Sequence, residues 1–168
     1  MITRRTFIKK SMIGTAGLTL GGLTFSKESY ARITGANDKI RVGIVGFSDR
    51  SRYSLIPSFQ ASAEELGFEI VAVSDLWSLR RVEAEKFFSE KYGQKIKTFR
   101  NNEELYDARI CDTVIIATAD FQHALHCVEA IKAGCDVYVE KPFAETMADA
   151  REAREALKGS GRIVQIGS

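Results

Sequence analysis

The chain has 168 residues, 45% of them apolar and 27% charged, which is ordinary globular composition with room for one domain and its own core. Its formal charge is +2, but residues 1–31 hold five basic residues (Arg4, Arg5, Lys9, Lys10, Lys27) against Glu28 alone, so the balance is +4 there and −2 over the remainder. With the positive excess confined to the start, and no basic stripe or RNA-binding signature downstream, nucleic acid is excluded as a partner.

The first 31 residues read as an address. Thr3-Arg4-Arg5-Thr6-Phe7-Ile8-Lys9 resembles the twin-arginine export motif, and an uncharged stretch from Ser11 to Phe25 and a small pair at Ser29 and Ala31 follow it. Cleavage after Ala31 is expected, with delivery by the twin-arginine machinery to the periplasm or exterior of a bacterium. A retained anchor is the alternative. The 15 residues from Ser11 to Phe25, rich in Gly and Thr, fall short of the ~20 apolar residues a spanning helix needs, so no stable membrane span is expected. Residues 32–38 form a polar linker, and 39–168 are the folded domain.

From there strands and helices alternate to the end. Strands are predicted at Ile40–Val45, Glu69–Ser74, Thr113–Thr118, Asp136–Val139 and Ile163–Ile166, with a weaker one at Ile96–Phe99; helices are predicted at Arg52–Leu66, Ser78–Tyr92, Gln122–Ala133 and Met147–Lys158. The strands are rich in Val and Ile without polar alternation, as in strands buried on both faces, and the crossover helices supply the covering layers. The class is therefore α/β, a doubly wound parallel sheet of the Rossmann kind. Pro57 falls inside the first helix and is expected in its opening turn or at a kink, because a mid-helix proline costs ~3 kcal/mol. Thr146 reads as the cap of the last helix, with Met147, Ala150, Ala153 and Leu157 on its inner face.

The first strand runs into Gly46-Phe47-Ser48-Asp49-Arg50-Ser51, where a dinucleotide turn belongs. The usual G-x-G-x-x-G needs glycines for the tight turn, for close approach to a pyrophosphate and for helix–strand packing. Here Gly46 keeps the first place, and Ser48 and Ser51 take the others. A serine hydroxyl beside a helix N-terminus suits a phosphate oxygen, whereas Asp49 repels one. The loop by itself reads equally as an ordinary strand–helix turn. Asp75 ends the second strand, 29 residues after Gly46. An acid there hydrogen-bonds the adenosine ribose hydroxyls and disfavours a 2′-phosphate, which argues for NAD over NADP. A plain helix N-terminal carboxylate is the compatible alternative, and Arg80 and Arg81 are placed on a solvated helix face.

The densest segment is Val114 to Pro142. It holds a strand, a helix with Ala124, Val128 and Ile131 on one face, a stop at Gly134, a second strand, and the turn Glu140-Lys141-Pro142 at the carboxyl edge where open parallel sheets bind ligands. His123 and His126, the only histidines, stand i and i+3 near a helix start; without a third ligand nearby they are expected to be one site-facing and one surface residue, and no metal is predicted. Cys111, Cys127 and Cys135 show neither metal spacing nor a C-x-x-C pair and are assigned to packing.

Together, the glycine turn, the acid at the end of strand two, Ala117-Thr118-Ala119-Asp120-Phe121-Gln122-His123, the helix ending Ala133-Gly134, and Glu140-Lys141-Pro142 resemble the glucose-fructose oxidoreductase, inositol dehydrogenase and MocA family over residues 39–168. Departures are Ser48 and Ser51 for glycines and Ala119 for a usual proline. The resemblance implies a nicotinamide-dependent oxidoreductase of sugars or cyclitols. Lys141 would be the catalytic contact, polarising the reacting oxygen, while Glu140 and Pro142 shape a turn that is often cis. Thr118 and His123 would line the nicotinamide-ribose end, and Gly46, Ser48, Ser51 and Asp75 the other. An ammonium suits that place because it stabilises a developing alkoxide. A solvated turn lysine is the alternative for Lys141.

The resemblance also implies a second, α+β domain that supplies most of the substrate pocket, and the oligomer contacts of the full-length protein, beyond Ser168. The chain thus reads as the cofactor half of an exported enzyme. A glycosidase of the same architecture, oxidising its sugar transiently with tightly held NAD, is a second reading. A non-enzymatic binding module with an eroded cofactor loop is a third.

Overall fold

The computed structural model describes residues 39–167; the expected leader at 1–31 and linker at 32–38 lie outside the described residues. Six parallel strands form one sheet: β1 (Ile40–Val45), β2 (Phe68–Ser74), β3 (Lys97–Phe99), β4 (Thr113–Ile116), β5 (Asp136–Val139) and β6 (Val164–Ile166), in the spatial order β3-β2-β1-β4-β5-β6. This is the doubly wound order, and it reverses direction between β1 and β4. Val45 lies in register with Ile116, so the carboxyl ends of those two strands open the crevice at the reversal.

Alternation along each strand feeds two cores. Val42 and Ile44 of β1 and Ile115 of β4 face one side with Leu55, Ile56, Ala84 and Phe88, while Val45, Val114 and Ile116 face the other with Leu105, Cys127, Ala130 and Ile131. Each large apolar side chain fully buried there contributes about 1.5–3 kcal/mol. One layer consists of a helical run whose five-residue π segment Ser51–Leu55 leads into α1 (Ile56–Ala61), then α2 (Ala63–Leu66) and α3 (Ser78–Tyr92); α4 (Asn102–Asp107), α5 (His123–Lys132) and α6 (Met147–Leu157) make the other. The cysteines bear out packing: all three are free, Cys127 and Cys135 are buried, and burial raises the thiols of Cys111 and Cys127 to about 12 and about 11.

The predicted helix Arg52–Leu66 is three helical pieces. Pro57 has no N–H to donate, and it sits in the opening turn of α1 immediately after the π segment, where the ladder is already displaced. α4 was not predicted. It is short, yet it carries its own start signal: Asn101 Oδ1 accepts the Glu104 N–H (2.8 Å), and Glu104 Oε2 accepts the Arg100 N–H (3.0 Å). The Thr146 cap forms as expected, its hydroxyl oxygen accepting the Asp149 N–H at 3.2 Å. Met147 does not belong to the inner face; it is exposed, and the buried contact of α6 is centred on Ala153. α5 packs as expected and ends at Gly134, whose φ of +84° allows the Cys135 N–H to reach Ala130 O and its own N–H to reach Ile131 O.

At the opposite, amino edge, Arg41 and Asp112 bind β1 to β4. The Asp112 carboxylate accepts the Arg41 backbone N–H, Nε–H and Nη2–H, and the Asp112 N–H returns to Arg41 O. Chiefly through the side-chain hydrogen bond, Arg41 holds the Asp112 carboxyl below its ordinary value of 3.8. A carboxyl depressed in the folded state contributes stability above its unfolded pKa and loses it as pH falls through the folded one. Asp112→Asn should therefore cost on the order of 1 kcal/mol near neutrality, the pair being partly solvated. In urea melts the variant and wild type should begin to converge as pH falls below about 4, the region of the unfolded carboxyl, and should coincide only below the depressed folded value.

Candidate functional site

β1 delivers Gly46 to the crevice with φ +88°. A Cβ there would lie 2.7 Å from Thr118 Cγ2 and 3.0 Å from Ala117 O, so the turn passes against the end of β4 at a separation that only glycine permits. Backbone and side chain fix it from β2: Gly46 N–H donates to Ser74 O (2.8 Å), and Phe47 N–H donates to Asp75 Oδ2 (2.9 Å). The other Asp75 oxygen accepts the Trp77 N–H (2.9 Å) at the start of α3. Asp75 is thus both a helix-start carboxylate and the anchor of the turn.

The two serines divide the work of the missing glycines. Ser48 starts the helical run, its carbonyl accepting the Arg52 N–H (2.9 Å) and its Oγ accepting the Ser51 N–H (3.2 Å). Ser51, expected to contact cofactor, is fully buried behind the turn and donates its hydroxyl to Gly46 O at 2.7 Å. It fills the packing place of the third glycine and does not line the groove. Arg80 is not on a solvated face either. It lines the groove, pairs with Asp49 (3.1 Å) and Glu83 (3.1 Å), and lies 5.8 Å over the Trp77 ring, so the repulsion expected from Asp49 is offset. Arg81 turns back to donate to Asp75 O and Leu76 O.

At the far end β5 delivers Glu140, only 4% exposed, whose Oε1 accepts Nε–H (3.2 Å) and Nη2–H (3.1 Å) of Arg50. The Lys141–Pro142 peptide is cis, and Lys141 is exposed. His123 borders the smaller cavity, but both its ring nitrogens are engaged within the protein. It is 1% exposed, with Nδ1 2.8 Å from Pro142 O and Nε2 3.2 Å from Thr118 O, and so clamps the Lys-Pro turn to the end of β4. His126, half-buried, borders the larger cavity, so neither histidine is the surface residue expected of the pair. Its Nδ1 lies 3.2 Å from Thr118 Oγ1, and burial, opposed by Glu129, lowers its pKa below the usual imidazole value.

Two cavities follow this edge. The larger, about 710 Å³, is lined by Gly46, Ser48, Asp75, Trp77, Asn102, His126 and Glu129. The smaller, about 360 Å³, holds Arg50, His123, Glu140 and Lys141. Both are bordered by Ser48, Ala117 and Thr118, so Asp75 and Lys141 stand at the two ends of adjoining spaces. The volume is that of a small-molecule or cofactor site. Among the described residues no three His, Cys, Asp or Glu side chains come together as a metal set.

Residues 40–168 match the GFO_IDH_MocA family, described as an oxidoreductase family with an NAD-binding Rossmann fold. The chain belongs to that family. Among its relatives, the inositol 2-dehydrogenase of Salmonella typhimurium strain LT2 is 35% identical over 102 residues, covering 60% of this chain and 29% of that protein. The glycosyl hydrolase family 109 protein 2 of Shewanella sp. strain MR-4 is 28% identical over 160 residues, covering 86% of this chain and 34% of that protein. The WlbA dehydrogenase of Bordetella pertussis, solved in complex with NADH and UDP-GlcNAcA, shares the fold with a TM-score of 0.69 at 22% identity, over 77% of this chain and 37% of that one. The chain therefore spans about a third of the length of the relatives it matches. What it contains is the family's NAD-binding domain.

Gly46→Ala places a Cβ against β4 in a left-handed backbone region, and should cost about 2 kcal/mol of folding stability. Calorimetric titration of the refolded variant should also show NAD affinity reduced by at least about tenfold, because the turn must move away from β4 to accept the methyl group.

Proposed function

We propose that the chain is the cofactor half of an exported NAD-dependent oxidoreductase that transfers hydride from a CH–OH carbon of a sugar or cyclitol. The observation that carries this reading is the adjoining pair of cavities with Asp75 at one end and Lys141 at the other. The main chain at Gly46 and the Ser48 hydroxyl receive the pyrophosphate at the start of the helical run, where N–H groups lack intrahelical acceptors. Asp75 spends one lone pair of each oxygen on the protein and keeps the others for the ribose hydroxyls. NAD, when bound, supplies the hydride acceptor at C4 of its nicotinamide ring. Lys141 donates to the substrate oxygen as charge develops there, and the Arg50–Glu140 pair and the His123 clamp hold the turn that presents it.

The test is thermal melting of the chain with NAD, NADP or neither, since a ligand that binds only the folded state adds about 2.7 kcal/mol at a hundred times its Kd. NAD should raise the melting temperature more than NADP, and Asp75→Ala should abolish both the preference and most of the shift. No shift with millimolar NAD sinks the reading in favour of a module that takes no cofactor.

The second reading is an NAD-dependent glycosidase. It is favoured by the family 109 relative, whose match covers more of the chain than residues 40–168 contain and so takes in part of the N-terminal segment. Net appearance of reduced nicotinamide during turnover distinguishes the dehydrogenase from the glycosidase, which regenerates its cofactor. Residues 1–31 are proposed to direct twin-arginine export, carried by Arg4 and Arg5. Fused to a fluorescent reporter that must fold before export, they should send it to the periplasm, and Arg4→Lys with Arg5→Lys should retain it in the cytoplasm.

A further inference from the structure

One wall of the larger cavity is polar, and its hydrogen bonds form a chain. Ser74 Oγ–H donates to Asn102 Oδ1 (2.8 Å), and Asn102 Nδ2–H donates to Glu129 Oε2 (2.9 Å). The carboxylate is thereby held from behind with one oxygen engaged. Its Oε1 takes no hydrogen bond among the described residues, although Glu129 borders the cavity. One turn earlier on α5, His126 borders the same wall with Nδ1 on the Thr118 hydroxyl and Nε2 without a partner among the described residues. Residues three apart on a helix lie side by side. The wall therefore presents a fixed acceptor next to an imidazole nitrogen.

If the Thr118 hydroxyl donates to Nδ1, the ring proton sits on Nε2, and the pair becomes an acceptor beside a donor. Burial keeps the imidazole neutral near pH 7, consistent with that tautomer. The complementary ligand edge is an amino group next to a ring nitrogen, which is the edge of adenine. Hypoxanthine and guanine carry a carbonyl oxygen in place of that amino group and would set it against the carboxylate. Leu76 and Trp77, both largely exposed, border the same cavity and offer flat apolar surface to the face of a base.

We propose that Glu129 and His126 select the base of the dinucleotide, Glu129 Oε1 accepting from the exocyclic amino group of adenine and His126 Nε2–H donating to the neighbouring ring nitrogen. Ser74, Asn102 and Thr118 position the two without touching the base. The assignment rests on the cofactor reading above, and adds to it which base is admitted and by which side chains.

The test compares NAD with nicotinamide hypoxanthine dinucleotide, which differs at that amino group, by calorimetric titration of the full chain. Wild type should bind NAD at least about tenfold more tightly, the range expected for a paired base-edge contact. Glu129→Gln retains an acceptor for Asn102 and gains an amide donor for the carbonyl of hypoxanthine, so it should bring the two affinities to within about threefold. His126→Ala should weaken NAD and narrow the ratio. Equal affinities in wild type, or a ratio unmoved by Glu129→Gln, overturn base selection while leaving the cofactor reading intact. Failure of wild type to bind either dinucleotide overturns both.

Discussion

The Asp75 carboxylate ties the end of β2 to the turn after β1, accepting the Phe47 N–H on one oxygen and the Trp77 N–H on the other. The turn has no side chain of its own at Gly46 with which to hold itself, and its backbone approaches β4 too closely to admit one. It therefore takes its position from its neighbours on both sides, Asp75 and Ser74 on β2 and the wall of Ala117 and Thr118 beyond β4. The start of the following helical run, the Ser48 cap and the placement of Arg50 inherit that position.

Around this anchor part of the charge is already paired. Asp49 is met by Arg80, and Glu140 by Arg50. Among the described residues Lys141 makes no ion pair, and Glu129 keeps one free oxygen. Asp75, Glu103 and Asp120 also border the cavities and make no ion pair among the described residues. Pairing Arg80, Arg50 and Glu140 within the protein limits the desolvation that binding would otherwise incur at those groups.

The parallel sheet and nearly all elements were legible because buried parallel strands and amphipathic crossover helices leave strong periodic signals. Gly46, Asp75 and Glu140-Lys141-Pro142 were legible because the fold places each at the carboxyl edge. What escaped was contact across the chain. The pairing of Arg50 with Glu140 links residues 90 apart and has no local signature. That His123 spends its ring on the Pro142 carbonyl while His126 also reaches a cavity wall has no local signature either. Ser51 looked like a phosphate contact until its hydroxyl was found on Gly46 O. α4 and its Asn101–Glu104 cap were readable and were passed over for their brevity.

The distance along the chain between Arg50 and Glu140 also bears on how the domain assembles. Closing a segment of 90 residues costs roughly 1 kcal/mol more in chain entropy than closing the 28 between Phe47 and Asp75, so the β1–β2 half can form well before the β5 turn docks. A nascent polypeptide would own the Asp75 anchor early and gain its lysine late. Until β4 arrives, one edge of β1 remains unpaired, an aggregation hazard that a ribosome-bound intermediate must survive.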